Sequence, residues 1–222
     1  LAELANANRG LLTADPEVEA APEAYFDLVV DIDLSRLEPQ VSGPHRPDLV
    51  RPISALAAEV AEQGYPDQVS VALIGSCTNS SYEDMGRAAD VARQAQAHGI
   101  KINVPLLVTP GSEQVRATIE RDGQMEAIKA LDATVLANAC GPCIGQWRRQ
   151  ELQPGEANTI VTSFNRNFPR RNDGNAETMA FIGSPETVIA YALSGRLSFN
   201  PLTDKLQASD GTWFRLAPPQ KV

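Results

Sequence analysis

From residue 68 onward the apolar residues of this chain follow two alternating rhythms. Val69 to Gly75 (VSVALIG) is a nearly continuous apolar run with β-branched members, the pattern of a strand buried on both faces of a parallel sheet. From Tyr82 to His98 the spacing changes to that of a helix, with an apolar face through Met85, Ala88, Ala89, Ala92 and Ala95. Ser80 or Ser81 is a natural N-cap for it and Gly99 ends it. The alternation continues with a strand at Ile102–Val108, helices at Ser112–Asp122 and Met125–Leu131, and strands at Ala133–Asn138 and Thr159–Thr162. Ser184-Pro185-Glu186 opens a further helix with a cap residue and Pro at its first position. Ser209-Asp210-Gly211 reads as the turn of a closing hairpin. Strands alternating with helices predict an α/β fold, a mostly parallel sheet flanked by helices.

The first part of the chain is less regular. Residues 1–24 are rich in Ala, Glu and Pro and read as helical segments running into a linker. Tyr25 to Leu34 (YFDLVVDIDL) alternates well enough to predict a strand. Four prolines between Glu38 and Pro52 suggest an ordered connector, and Ile53–Gln63 a short helix. We expect a lead-in segment over 1–45 and an α/β domain over 46–222. Leu1 at the start and Leu-Ala-Pro-Pro-Gln-Lys-Val at the end suggest a piece of a longer polypeptide.

The 222 residues suffice to bury one sizeable core. A net charge of −9 disfavours nucleic-acid binding over the whole surface, although a local basic patch could still sit on it. No apolar run approaches the length of a membrane span. The cysteines number three, Cys77, Cys140 and Cys143, an odd and sparse set that argues for a reducing compartment and against a disulfide framework.

Each cysteine follows a predicted strand, and α/β sheets bind ligands at the carboxyl ends of their strands. Cys140-Gly141-Pro142-Cys143 is a C-x-x-C on a Gly-Pro turn, and 62 residues separate Cys77 from Cys140. The spacing alone leaves several readings open. Each thiol could simply be core, the pair could be a redox motif, or it could be half of a zinc site. A redox pair needs no third cysteine. A closed zinc site needs a fourth ligand, and the two histidines are poorly placed, His45 in the Pro-rich connector and His98 at a helix end. A [4Fe–4S] cube held by three thiolates would leave one iron open.

Longer motifs carry a specific resemblance. Ile74-Gly75-Ser76-Cys77-Thr78-Asn79-Ser80-Ser81-Tyr82-Glu83-Asp84-Met85-Gly86-Arg87 resembles the first cluster segment of mitochondrial-type aconitases. Leu136-Ala137-Asn138-Ala139-Cys140-Gly141-Pro142-Cys143-Ile144-Gly145-Gln146-Trp147 is similar to the second. Thr109-Pro110-Gly111-Ser112-Glu113-Gln114 and Gly183-Ser184-Pro185-Glu186 also fit, and the similarity runs from Tyr25 to Pro201. The resemblance implies the third, cluster-binding domain of an aconitase, with a [4Fe–4S] cluster on Cys77, Cys140 and Cys143. It further implies citrate, cis-aconitate and isocitrate as substrates, and the other domains of the same polypeptide as partners.

Ser163 to Asp173 (SFNRNFPRRND) gathers three arginines and three asparagines. Read alone it is either a solvated loop or a clamp for carboxylates, which Arg binds through a planar fork. It looks like the N-R-N-F-x-x-R element of aconitases. By that resemblance Asn165 hydrogen-bonds the cluster region and Arg166 and Arg171 contact substrate, with Asn79 and Asn138 as further candidates for hydrogen bonds to the cluster. Arg170 departs from the family, where a small residue such as Gly is usual. No residue suits the role of catalytic acid or base, which in the family come from other domains. The resemblance implies a hydro-lyase that is inactive as this piece alone. The competing functions are a hydro-lyase of the isopropylmalate or homocitrate type and a cluster-free RNA-binding regulator. The Ala- and Arg-rich wording suggests a bacterial cytoplasm, with the mitochondrial matrix as the alternative.

Overall fold

Three short helices begin the chain: α1 (Ala2–Ala7), α2 (Arg9–Leu12) and α3 (Pro16–Ala20), the last started by Pro16 at its first position. The computed structural model describes residues 2–75 and 77–220. Residues 1–37 form one unit and residues 38–222 another. In the first unit the predicted strand at Tyr25–Leu34 is not a strand. Its backbone pairs with no other strand among the described residues, and Leu28, Val30, Ile32 and Leu34 are exposed. Alternation marks a segment that could join a sheet, but a strand exists only through a partner's N–H and C=O groups.

The second unit opens with an antiparallel pair, β1 (Gln40–Ser42) and β2 (Val50–Pro52), in the stretch the prolines mark as an ordered connector. Pro52 is tolerated because β2 lies at the sheet edge, where a missing N–H breaks no ladder. Helix α4 (Ile53–Gln63) follows and ends at Gly64. Next come β3 (Val69–Ile74), α5 (Tyr82–Ala97) and β4 (Leu106–Val108). Helices α6 (Glu113–Arg121) and α7 (Gln124–Lys129) lead to a short β5 (Thr134–Val135). Strands β6 (Asn158–Thr162) and β7 (Thr178–Ile182), helix α8 (Pro185–Ser194) and the hairpin β8 (Leu206–Gln207) and β9 (Trp213–Phe214) complete it.

The seven-stranded sheet runs in the order β2-β1-β7-β6-β3-β4-β5, parallel from β7 to β5. The chain builds outward in one direction through β4 and β5, then returns to the other side of β3 as β6. The switch point therefore lies between β3 and β6, where a ligand crevice is expected outside the carboxyl ends of the strands.

Both faces of the central strands are buried. Val69, Ala72 and Ile74 of β3, with Val161 and Phe181 of its neighbours, meet α5, α7 and α8 on one side. Val71, Leu73, Ile160 and Ala180 face the other, where Phe164, Cys143 and Trp147 cover them. The segments singled out for chemistry thus roof one face of the sheet. Each large apolar side chain buried here contributes about 2 kcal/mol relative to exposure. Helix α5 buries its whole predicted face, from Met85 to Ala95, and starts at a capping box in which Ser81 and Asp84 satisfy each other's backbone N–H groups.

Candidate functional site

At the end of β3 the backbone passes so close to Thr109 that a Cβ on Gly75 would sit 2.9 Å from that residue's Cβ. No side chain fits there, so the chain can turn at once into the loop that carries Cys77. Ser163, directly after β6, fastens this loop. Its buried hydroxyl accepts from the Gly75 N–H (3.1 Å) and lies 3.0 Å from the Gly75 carbonyl and 3.1 Å from that of Asn79. The Asn79 amide donates back to the Ser163 carbonyl at 2.7 Å. Thr78 Oγ1 is 3.8 Å from Cys77 Sγ and takes a hydrogen bond from Asn165 Nδ2 at 3.2 Å. Asn79 and Asn165 therefore both tie the cysteine loop to the polar loop.

Cys77 and Cys140 line one pocket of about 80 Å³ together with Thr109, Pro110, Gly111 and Asn138. Both are exposed. Cys140 N-caps a single 3-10 turn, Gly141–Ile144, in which the Cys143 N–H returns to the Cys140 carbonyl at 2.8 Å. Cys143 is buried against the sheet, 6% exposed. Asn138 donates to Glu113 Oε2 at 2.6 Å. The Glu113 carboxyl is held below its ordinary range, chiefly by its hydrogen bond from Arg116.

No disulfide joins the three thiols. Among the described residues no three His, Cys, Asp or Glu side chains converge on the position of one metal ion. Cys77, Cys140 and Cys143 are accordingly not drawn together onto one such position. The donors at the crevice are soft thiols with neither His nor carboxylate lining the pocket, a set that suits an iron–sulfur cluster. In the first turn of α5 the Asp84 N–H is already taken by Ser81.

Arg166 is exposed, Arg171 is half-buried, and Arg171 Nε is buried with no hydrogen-bond partner. An unsatisfied buried guanidinium nitrogen is costly and calls for an acceptor from outside the chain. The Arg171 loop is tied to the cysteine turn. Asn172 Nδ2 donates to the Pro142 carbonyl at 3.1 Å, and a Cβ on Gly145 would lie 3.1 Å from the Arg171 carbonyl. His98 stacks on Phe214 with ring centroids 3.7 Å apart, away from any role at the crevice. The loop that holds His45 reaches the polar loop, where Asn167 Nδ2 meets the Arg46 carbonyl at 3.4 Å.

Sequence reasoning passed over Ser163 and Asn172 as organisers. For Ser163 the usable signal was its place directly after a strand at the head of the polar loop.

A family model described as "Aconitase family (aconitate hydratase)" matches residues 3–195. Mitochondrial aconitate hydratase of Saccharomyces cerevisiae is 55% identical over 212 residues, covering 96% of this chain and 26% of that protein. The probable mitochondrial aconitate hydratase of Dictyostelium discoideum is 50% identical over 219 residues, 99% of this chain and 28% of its own length. The chain thus spans about a quarter of these relatives. Aconitase X of Thermococcus kodakaraensis in its holo form superposes at a TM-score of 0.36 with 20% identity, over 61% of this chain and 32% of that one, too loosely to add to these matches.

Proposed function

The chain belongs to the aconitase family, and we propose that it is the cluster-binding part of an aconitate hydratase, which interconverts citrate and isocitrate through cis-aconitate by removing and restoring water. The observation that carries this reading is the crevice itself. Cys77 and Cys140 share one pocket at the carboxyl ends of the strands, Cys143 lies one turn further on, and Arg171 keeps a buried nitrogen in need of an acceptor.

Cys77, Cys140 and Cys143 would hold a [4Fe–4S] cluster, which when bound supplies an open iron as a Lewis acid toward the substrate hydroxyl and carboxylate. Asn165 steadies the Cys77 loop through Thr78, and Asn79 does so through Ser163. Asn138 lines the pocket beside Cys140. Arg171 offers its fork to a substrate carboxylate, and Arg166, exposed on the same loop, offers a second. Carbon-bound proton removal and protonation of the leaving hydroxyl fall to side chains of the remaining domains of the same polypeptide. A reducing compartment suits three thiols, cytoplasm or mitochondrial matrix; the relatives above are named mitochondrial.

The test is anaerobic reconstitution of this chain with ferrous iron and sulfide, followed by iron and sulfide analysis and electronic spectra. Each of Cys77→Ser, Cys140→Ser and Cys143→Ser should lose the four-iron cluster. Retention of four irons per chain by Cys77→Ser would sink the three-thiolate reading.

A further inference from the structure

Arg149 lies nine residues past Cys140, in a stretch where a charged side chain would ordinarily reach solvent. Its side chain is instead 2% exposed. The guanidinium lies 5.1 Å over the ring of Trp147. Its Nε donates to Glu151 at 2.8 Å and its Nη1 to Asn158 Oδ1 at 2.5 Å. Nη1 is also 3.6 Å from Asp173 Oδ2, whose side chain is equally buried. Nη2 has no partner. Asp173 in turn accepts from Thr178 Oγ1 at 2.7 Å, and Thr178 Oγ1 accepts from Asn158 Nδ2 at 2.9 Å.

These contacts join three separate stretches of chain. Trp147 and Arg149 continue the turn that bears Cys140 and Cys143. Asn158 and Thr178 open strands β6 and β7. Asp173 ends the loop that bears Arg171. A buried Arg–Asp pair costs desolvation at both charges, and stability alone is a poor reason to keep one. The guanidinium is oriented by its hydrogen bonds to Glu151 and Asn158, and Asp173 stands beside it as an ion pair at 3.6 Å, longer than a hydrogen bond. Asp173 is two residues from Arg171, and the residue between them is bound to the Pro142 carbonyl. Two ties therefore hold the Arg171 backbone against the cysteine turn.

We infer that Arg149 is a positioning residue for tricarboxylate binding: through Asp173 it sets where Arg171 stands relative to the Cys140–Cys143 turn. The inference rests on the reading that Arg171 receives a substrate carboxylate. Arg149→Lys keeps the charge but loses the fork, and Asp173→Asn loses the ion pair and keeps one of the two hydrogen bonds that Asp173 accepts, from Thr178 Oγ1 and the Asn175 N–H.

The test uses the full-length polypeptide that contains this chain, loaded with cluster, in these two variants with Arg171→Lys as control. Calorimetric binding of citrate and the split of KM from kcat are measured alongside iron per chain and melting temperature. Arg149→Lys should weaken citrate binding and raise KM about tenfold, with kcat changed less than threefold and iron content unaltered. Asp173→Asn should match it, and the double variant should be no worse than either alone. If Arg171→Lys raises KM while Arg149→Lys and Asp173→Asn leave it within twofold, the positioning role is overturned and the Arg171 reading stands. If Arg171→Lys itself leaves citrate binding unchanged, the reading beneath it fails. Should Arg149→Lys not fold, Asp173→Asn decides alone, and loss of iron without a change in citrate affinity in the variant that folds overturns the inference.

Discussion

Arg170 holds its backbone at φ 64°, in the left-handed region that L side chains with a Cβ avoid. It does so to close the turn in which the Arg171 N–H reaches the Phe168 carbonyl and the Gly174 N–H the Arg170 carbonyl. The small residue usual at this position in the resembling family has a physical reason here, because glycine adopts positive φ without strain. Arg170→Gly should therefore raise stability by about 1 kcal/mol, read as a shifted midpoint in urea unfolding, and should leave citrate affinity nearly unchanged. A stability loss would mean the Arg170 side chain makes a contact that outweighs its strain. Ser163→Ala is the opposite case. It strips the buried Gly75 N–H of its acceptor, at a cost of about 1–3 kcal/mol, and loosens the Cys77 loop. Slower cluster uptake in anaerobic reconstitution should accompany the lower unfolding midpoint.

Helices and strands differ in how they are held at their ends. Before β3, Asp67 accepts from the Ser198 N–H at 2.7 Å and from Arg196 Nε at 3.0 Å, joining the start of the central strand to the turn after α8. Burial pushes the Asp67 carboxyl up, but the hydrogen bonds from Ser198 and Arg196 outweigh it, and the group stays below its ordinary range. A carboxyl depressed in the folded state stabilises fully above its unfolded value, near pH 4, and loses that contribution as pH falls through the folded one. Asp67→Asn should cost about 1 kcal/mol at pH 7 and flatten the acid limb of the stability curve below pH 4. Equal acid sensitivity in both proteins would assign that limb to other carboxylates. The start of α5 is a simpler device. Ser81→Ala removes the side-chain acceptor of the Asp84 N–H and should lower stability by about 1 kcal/mol.

Among the described residues, those before Glu38 contribute no buried side chain, while the two core clusters lie wholly after it. Removing residues 1–37 should leave the melting temperature within a few degrees, and a large loss would show that this segment supports the sheet. The complete 222-residue chain, reconstituted with cluster, should form no cis-aconitate from citrate or isocitrate. Among the described residues no side chain at the crevice suits a general base, and water entering an open crevice weakens every charged contact through its high dielectric constant. Turnover near that of a full-length enzyme would place the acid and base in this chain. What the sequence by itself determined is what local pattern controls: the face of α5 from Met85 to Ala95, a serine cap at Ser80 or Ser81, the burial of Val69–Ile74 on both sides, and the hairpin turn at Ser209-Asp210-Gly211. Helix periodicity, caps and turns depend on neighbours within a few residues, so they can be read from the chain. Only the tertiary structure decided that Tyr25–Leu34 pairs with nothing described, that the Pro-rich connector supplies the antiparallel pair β1 and β2, and that β6 returns beside β3. It also decided that Ser163 grips Gly75 from 88 residues away and that Arg149 turns inward to Asp173. Strand pairing and the satisfaction of buried polar groups are settled by distant partners, and a local pattern carries no record of which partner arrives.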